Sequence, residues 1–258
     1  MYEMSARASI AIFVPCFGGY DRCTPYSLPA GISGWYFVDH TTRIDNAHGW
    51  NVVRLDVNET RWVSGPRLAG KFVKFMAFTK YATGASVVVF HDANKRVTNF
   101  GALRVIAQQP NCTVLWKNWP HSSEEFYHST SIWNRLLGKG TIAQKDRLVW
   151  EMEDMLTRKE SRTRRSRENV LKWRERLRDE QRLYPTKYVE GNVFIIFDKQ
   201  KAISAFSWIY NQCHYIERDQ FLIPYVIENR SDMCVSDSLS TDLGIRSWAH
   251  TRPHSASN

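Results

Sequence analysis

The chain has 258 residues and carries 35 Lys and Arg against 26 Asp and Glu, a formal charge of +9. That length suits one α/β domain with a full core, or one domain with a large insertion. The longest apolar runs, Ser86–Phe90 and Val193–Phe197, fall well short of the roughly 20 residues of a membrane span, which excludes a bilayer-crossing helix.

The opening MYEMSARAS lacks the charged-then-apolar layout of a signal peptide. The five cysteines are odd in number and form no CxxC pair. On that basis the sequence speaks against zinc ligation and a disulfide framework, and for a reducing cytoplasm, that of the host if the protein is viral.

In chain order, Ser9–Cys16 reads as a buried strand that runs into the glycine turn FGGYD. Trp35–Val38 and Asn51–Leu55 are two more strands. Gly65–Tyr81 reads as a helix, with Pro66 in its first turn and Leu68, Phe72, Phe75 and Thr79 on one face. Ala85–Phe90 is a central strand ending in HDAN. A short helix over Phe100–Gln108 and a strand over Thr113–Lys117 follow. Gln144–Tyr184 reads as two helices joined by a basic connection, with Val170, Trp173 and Leu177 on the second apolar face, or as one long helix. A strand over Asn192–Phe197 and helices over Lys201–Gln212 and Asp219–Glu228 complete the pattern. The alternation predicts a single α/β domain over 1–230, with a mostly parallel twisted sheet, helices on both faces and a basic helical insertion at 144–184. Residues 231–258 read as a polar tail rich in Ser and His.

Ligand sites in such sheets lie beyond the carboxyl ends of the strands. Asp92 and Asn94 stand there, two apart. In an extended chain they would point to one side and offer hard oxygen ligands to a divalent cation such as Mn2+ or Mg2+. Such an ion neutralises charge on a departing diphosphate. Acid-x-Asn after a strand is also a common turn or helix cap. The segment His121, Glu124, Glu125 has metal-site spacing too, but equally suits a capped helix start.

The pieces AIFVPCFGGYD, WYFVD, GPRLAGKFVKF, VVVFHDANKRV, YVEGNVFIIFDK and ERDQF, colinear from Ile10 to Phe221, resemble the GT-A glycosyltransferases. More narrowly they are similar to a family that includes plant mucilage glycosyltransferases. The Arg-rich stretch departs from that pattern, as does Asn94 where many such enzymes carry a second Asp. The resemblance implies a nucleotide-sugar donor, with a uridine diphosphate sugar as the expected form. It implies that Phe17, Gly18, Gly19, Tyr20 and Asp21 lie beneath the nucleotide, with Tyr20 stacking on the base. Asp39 would bond the ribose or base, or else cap its own turn. Lys71 and Lys74, three apart on one helix face, would meet diphosphate or sugar, Lys74 being the better candidate for a plain surface lysine. An inverting transferase needs a carboxylate base for the acceptor hydroxyl. Asp219 in ERD is the first candidate, with a helix cap as its alternative role, and Glu190 the second; Arg218 would pair with a carboxylate or phosphate. A late histidine, His250 or His254, would complete the metal site.

Charge is concentrated between Arg158 and Arg182, where nine Arg and two Lys meet five acids. Clustered arginines suit phosphate backbones, so Arg162, Arg164, Arg165 and Arg167 are candidate DNA contacts, with Trp173 stacking a base. The chain also resembles, in layout, base-J-type and phage enzymes that glycosylate 5-hydroxymethylpyrimidines in DNA. That favours a DNA acceptor with the target base flipped out. A glycan or protein acceptor is the alternative. The arginines would then form a solvated hairpin with pairs four apart at Arg164/Glu168, Glu168/Lys172 and Arg176/Glu180. A non-catalytic nucleic-acid-binding protein on a transferase fold is the reading from another class.

Overall fold

The computed structural model describes residues 9–17, 23–44, 46–56, 66–118, 152, 156, 164–182, 189–216 and 218–247. Seven strands form one sheet in the order β3-β2-β1-β4-β7-β6-β8. They are β1 (Ile10–Cys16), β2 (Ile32–Val38), β3 (Asn51–Arg54), β4 (Val87–His91), β6 (Val114–Asn118), β7 (Val189–Ile196) and β8 (Met233–Ser236). A second sheet pairs the two-residue strands β5 (Lys95–Arg96) and β9 (Arg246–Ser247). All pairs in the large sheet are parallel except those of β7, which runs antiparallel to both β4 and β6.

The parallel strands are nearly continuous in apolar residues because both faces are covered. One face carries Phe13, Phe37, Phe90, Phe194 and Trp116. It packs on α1 (Pro66–Phe75), α2 (Phe78–Tyr81), α4 (Arg164–Asp179), α5 (Lys199–Cys213) and α6 (Ile223–Glu228). The other carries Ile12, Val14, Val89 and Ile195 and packs on α3 (Phe100–Gln108) and α7 (Leu239–Asp242). The sequence reading of an α/β fold with a mostly parallel sheet and helices on both faces holds at this level.

Four local differences matter. The helix expected over Gly65–Tyr81 is broken, because the amides of Met76 and Ala77 both donate to the Phe72 carbonyl, at 2.7 and 2.9 Å. Thr79, expected on the apolar face, is exposed. The expected helix at 219–228 is a 3-10 turn, Asp219–Phe221, followed by α6, whose Pro224 falls at its start. The described part of the expected polar tail, residues 231–247, joins the core instead: β8 extends the sheet beside β6, and Met233, Leu239 and Leu243 are buried.

The fourth difference concerns the base-stacking role expected of Trp173; its place on the apolar face of the second helix holds. Helix α4 turns Val170, Trp173 and Leu177 into the main core, so its inner face belongs to the domain's own packing. Trp173 is 4% exposed and its indole N–H donates to the Phe221 carbonyl at 3.3 Å. Among the described residues, no helix is long and apolar enough to cross a membrane.

Candidate functional site

The strand order 3-2-1-4 reverses direction between β1 and β4, and a crevice opens at such a switch point beyond the carboxyl ends of the strands. β1 delivers Cys16 and Phe17 to this edge, and β4 delivers His91 and Asp92. β7 runs the other way, so it delivers its first residues there. The Asp92 amide donates to the Asn192 carbonyl at 3.0 Å and fastens the two strand ends together.

The chain then turns. The Lys95 amide donates to the Asp92 carbonyl at 2.9 Å, which closes a turn over Asp92–Lys95 leading into β5. The shared side of Asp92 and Asn94 expected from an extended chain is therefore not a product of the pleat; a turn sets their relation. His91 supports this turn from within the core. Its Nδ1 donates to the Asp92 carbonyl and its Nε2 accepts from the Tyr26 hydroxyl, each at 2.9 Å, a pairing that requires the Nδ1–H tautomer. Burial pushes the imidazole down to about 4, against the opposing effect of the Asp92 bond, so the ring is neutral near pH 7. Burial likewise raises the Tyr26 phenol. Sequence reading passed over His91, although its place inside HDAN was the available signal.

Helix α1 packs against β1. Phe17 packs near Gly70, and the next residue, Lys71, forms an ion pair with Asp219; Lys74, one turn further on, pairs with the second Asp219 oxygen. Asp219 has no exposed side-chain surface, Lys74 has 6% and Lys71 keeps 21%. Burial alone would raise the Asp219 carboxyl, but the two ammonium groups hold it well below the usual carboxylate range. Burial lowers Lys71, yet Asp219 more than offsets that and leaves it above the usual lysine value, with smaller support from Cys213 and Asp92. The Cys213 thiol beside them is pushed up to about 12 by burial.

β7 makes room for this arrangement. Its pairing with β6 shifts between Trp116↔Phe194 and Lys117↔Glu190, a bulge that changes which face the first residues present. A Cβ on Gly191 would meet Lys74 Nζ at 2.6 Å and Ile223 Cδ1 at 2.9 Å. Three side-chain atoms close in sequence to these groups, Asn192 Oδ1, Arg218 Nε and Gln220 Oε1, are buried without a hydrogen-bond partner among the described residues. Unsatisfied groups gathered about one edge are what a polar ligand would complete.

The expected site residues divide accordingly. Asp92, Asn94, Lys71, Phe17 and Asp219 lie on segments meeting at this edge. Lys74, read as the better candidate for a surface lysine, is buried. Asp219 fits the role of a base poorly: both oxygens are engaged and none of its side chain is exposed. Asp39 caps its own turn, its Oδ1 accepting from the amides and hydroxyls of Thr41 and Thr42 at 2.7–3.0 Å. Trp173, expected to stack a nucleic-acid base, is instead enclosed by Trp208 and Tyr225. Arg176 pairs with Glu180 at 2.7 Å, as one of the four-apart pairs anticipated, and also reaches the Tyr225 hydroxyl.

Gly18, Gly19, Tyr20, Asp21, Arg162, His121, Glu124, Glu125, His250 and His254 lie outside the described residues, as do the side chains of Glu190, Arg164 and Arg165. Cys16 and Cys23 form a disulfide with Cα atoms 6.0 Å apart. This corrects the expectation that spoke against disulfides and removes the argument it gave for a reducing compartment. The bond ties the end of β1 to the segment entering Tyr26, a proximity that residue spacing alone does not disclose.

Among the described residues no group of three or more His, Cys, Asp or Glu gathers to hold a metal. Asp92 and Asn94 are two oxygen donors of the kind a hard divalent ion takes, fewer than the six or more such an ion needs. The chain matches no known protein-family model, and no curated protein matches it.

Proposed function

We propose that this chain is a GT-A-type glycosyltransferase that moves a sugar from a nucleotide-sugar donor, a uridine diphosphate sugar by the fold's habits, to a hydroxyl acceptor. One observation carries the reading. An oxygen-donor pair, Asp92 and Asn94, follows β4 at the sheet's switch point, and Lys71 on α1 is held in an ion pair with Asp219 while keeping 21% of its side chain exposed. The edge thus offers both a cation site and a fixed cation, which suits a diphosphate.

In this mechanism Asp92 and Asn94 would hold a Mn2+ or Mg2+ ion, which would supply charge neutralisation for a leaving diphosphate. His91 and the Asn192 carbonyl fix the Asp92 backbone and so orient the pair. Phe17 walls the crevice at the end of β1. With Asp219 enclosed by lysines, Glu190 becomes the carboxylate of choice to take the acceptor proton in a one-step inverting displacement. It lies on β7 beside Gly191, one residue from the Lys74 contact.

For the acceptor, the favoured reading is a 5-hydroxymethylpyrimidine in DNA, and it rests on the arginines of α4 and its flank without a contribution from Trp173. Burial of that indole favours the second reading, a glycan or protein acceptor. A transfer assay with manganese, offering a panel of nucleotide sugars to hydroxymethylated DNA and to oligosaccharides, separates them. Mass gain on DNA supports the first and mass gain on glycans alone supports the second. Near-normal metal-dependent donor binding by Asp92→Ala would remove the site assignment. Charge reversal at Arg162, Arg164, Arg165 and Arg167 should flatten the salt dependence of DNA binding while donor hydrolysis persists.

A further inference from the structure

The edge strand β8 brings one cysteine beside another from a distant part of the chain. Its parallel register sets Cys234 opposite Leu115, and residues opposite one another in a ladder share a face. Leu115 packs on the side of the sheet covered by α3 and α7, so the Cys234 side chain stands on that side too. Cys112 lies in the connection between α3 and β6. That connection is pinned to the start of β8. The Thr113 amide donates to the Asp232 carbonyl and the Thr113 hydroxyl to Asp232 Oδ2, each at 2.7 Å. Arg230 holds the same carboxylate at 2.8 Å. With the backbones fastened, the two sulfurs meet. The Cys112 thiol donates to Cys234 Sγ, and the Cys234 amide donates to Cys112 Sγ. Both residues are partly exposed, whereas the third free thiol, Cys213, is buried. β8 itself pairs with β6 alone and buries only Met233 of its four residues, so the sheet holds it weakly. The segment that starts there runs through α7 to β9, which pairs with β5 directly after the Asp92 turn.

We propose that Cys112 and Cys234 are a redox-active dithiol that closes into a second disulfide by exchange with a small-molecule disulfide, fastening β8 to the connection between α3 and β6. The inference is independent of the transferase reading. Burial and the bond to Cys234 push the Cys112 thiol up to about 12, which leaves it a poor nucleophile. Cys234 therefore makes the first attack. With oxidised glutathione as the oxidant, the Cys234 thiolate breaks the glutathione S–S bond, expels one glutathione thiolate and keeps the other half as a mixed disulfide. The Cys112 sulfur then attacks Cys234 Sγ and expels the second glutathione thiolate. Two protein thiols are oxidised, one glutathione disulfide is reduced to two thiols, and the two thiol protons end on the departing glutathiones. The second step joins groups already in contact, which offsets the raised Cys112 value.

The test incubates the full chain with oxidised glutathione, blocks the remaining thiols by alkylation and maps a digest by mass spectrometry. A cross-linked Cys112–Cys234 peptide pair is expected. Free thiols at both positions, or one glutathione on each, overturn the dithiol. Cys112→Ser should accumulate a single glutathione on Cys234, since no partner remains to expel it; full resistance of Cys234 in that variant overturns the exchange. Both positions are partly exposed, and a thermal melt confirms that the Ser variants are folded. Closing so long a loop, from Cys112 to Cys234, should lower the unfolding equilibrium constant by roughly 1,000-fold. The readout is a higher urea midpoint for the oxidised chain that dithiothreitol reverses. Cys234→Ser keeps the Cys16–Cys23 bond and so reports the share of that bond in the shift. An equal shift in wild type and Cys234→Ser overturns the fastening of β8.

Discussion

Gly191 faces the Lys74 ammonium so closely that a Cβ at position 191 would stand 2.6 Å from Nζ. The glycine leaves space where the flank of β7 passes over a lysine held in an ion pair with Asp219. Ile223 closes the other side at 2.9 Å. Gly191→Ala should therefore displace Lys74 from Asp219 or push β7 outward. Either costs about 1–3 kcal/mol, the usual range for overpacking. Urea unfolding at neutral pH measures it, and an unchanged midpoint would show that Lys74 has another place to go.

His91 should make stability pH-dependent in a defined window. Its folded value is lowered to about 4 from an ordinary 6.5. The unfolded chain therefore takes up the proton first as pH falls. The stabilisation is complete above pH 6.5, declines as pH drops toward about 4 and is then exhausted. The total is about 3 kcal/mol by linkage. Unfolding free energies of the metal-free chain near pH 7 and near pH 4 should differ in that direction, and His91→Gln should reduce the difference. Asp219 adds its own loss only at lower pH: its depressed carboxyl contributes fully above the unfolded carboxylate value of about 3.9.

Trp173 should behave as a core residue. Trp173→Ala is expected to cost about 3–5 kcal/mol. Trp173→Phe, which keeps a ring against Tyr225 and gives up the bond to Phe221, should leave DNA affinity unchanged. A drop in affinity for DNA by that variant at unaltered stability would return the indole to a binding surface.

The Cys16–Cys23 bond spans seven residues. Removing it by Cys16→Ser should lower stability by roughly 2–3 kcal/mol, the chain-entropy value for so short a loop. Equal melting temperatures for wild type with and without reductant would show that the bond contributes nothing to the folded state.

Much of the architecture is legible in the sequence because the central strands β1, β4 and β7 are buried on both sides and read as unbroken apolar runs. β8 was not legible. Only Met233 of its four residues is buried, so an edge strand looks like polar tail. The bulge in β7 is equally silent, because register is a property of two strands and not of one. At the site, HDAN and ERD gave Asp92 and Asp219 directly, since both follow recognisable local patterns. Their environments could not be read. Lys71 and Lys74 meet Asp219 across 148 and 145 residues, and only the folded chain shows that what looked like a base is a counter-ion. The basic segment misled for a related reason: a tryptophan spaced among arginines is compatible with a wet face or a dry one, and the partner helices decide.

The bulged pairing of β6 with β7 also sets where the protein can change. Asn118 at the end of β6 lies opposite Val189 at the start of β7, so the long stretch between them departs and returns at adjacent backbone points, on the edge that carries the carboxyl ends of β1 and β4. Loop length adds little to closure cost once a loop is long. A graft of another connection would need to preserve only those two anchor points and the inward face of Val170, Trp173 and Leu177. The strands would be left as they are. Such an arrangement lets one stretch of chain be replaced without rebuilding the sheet.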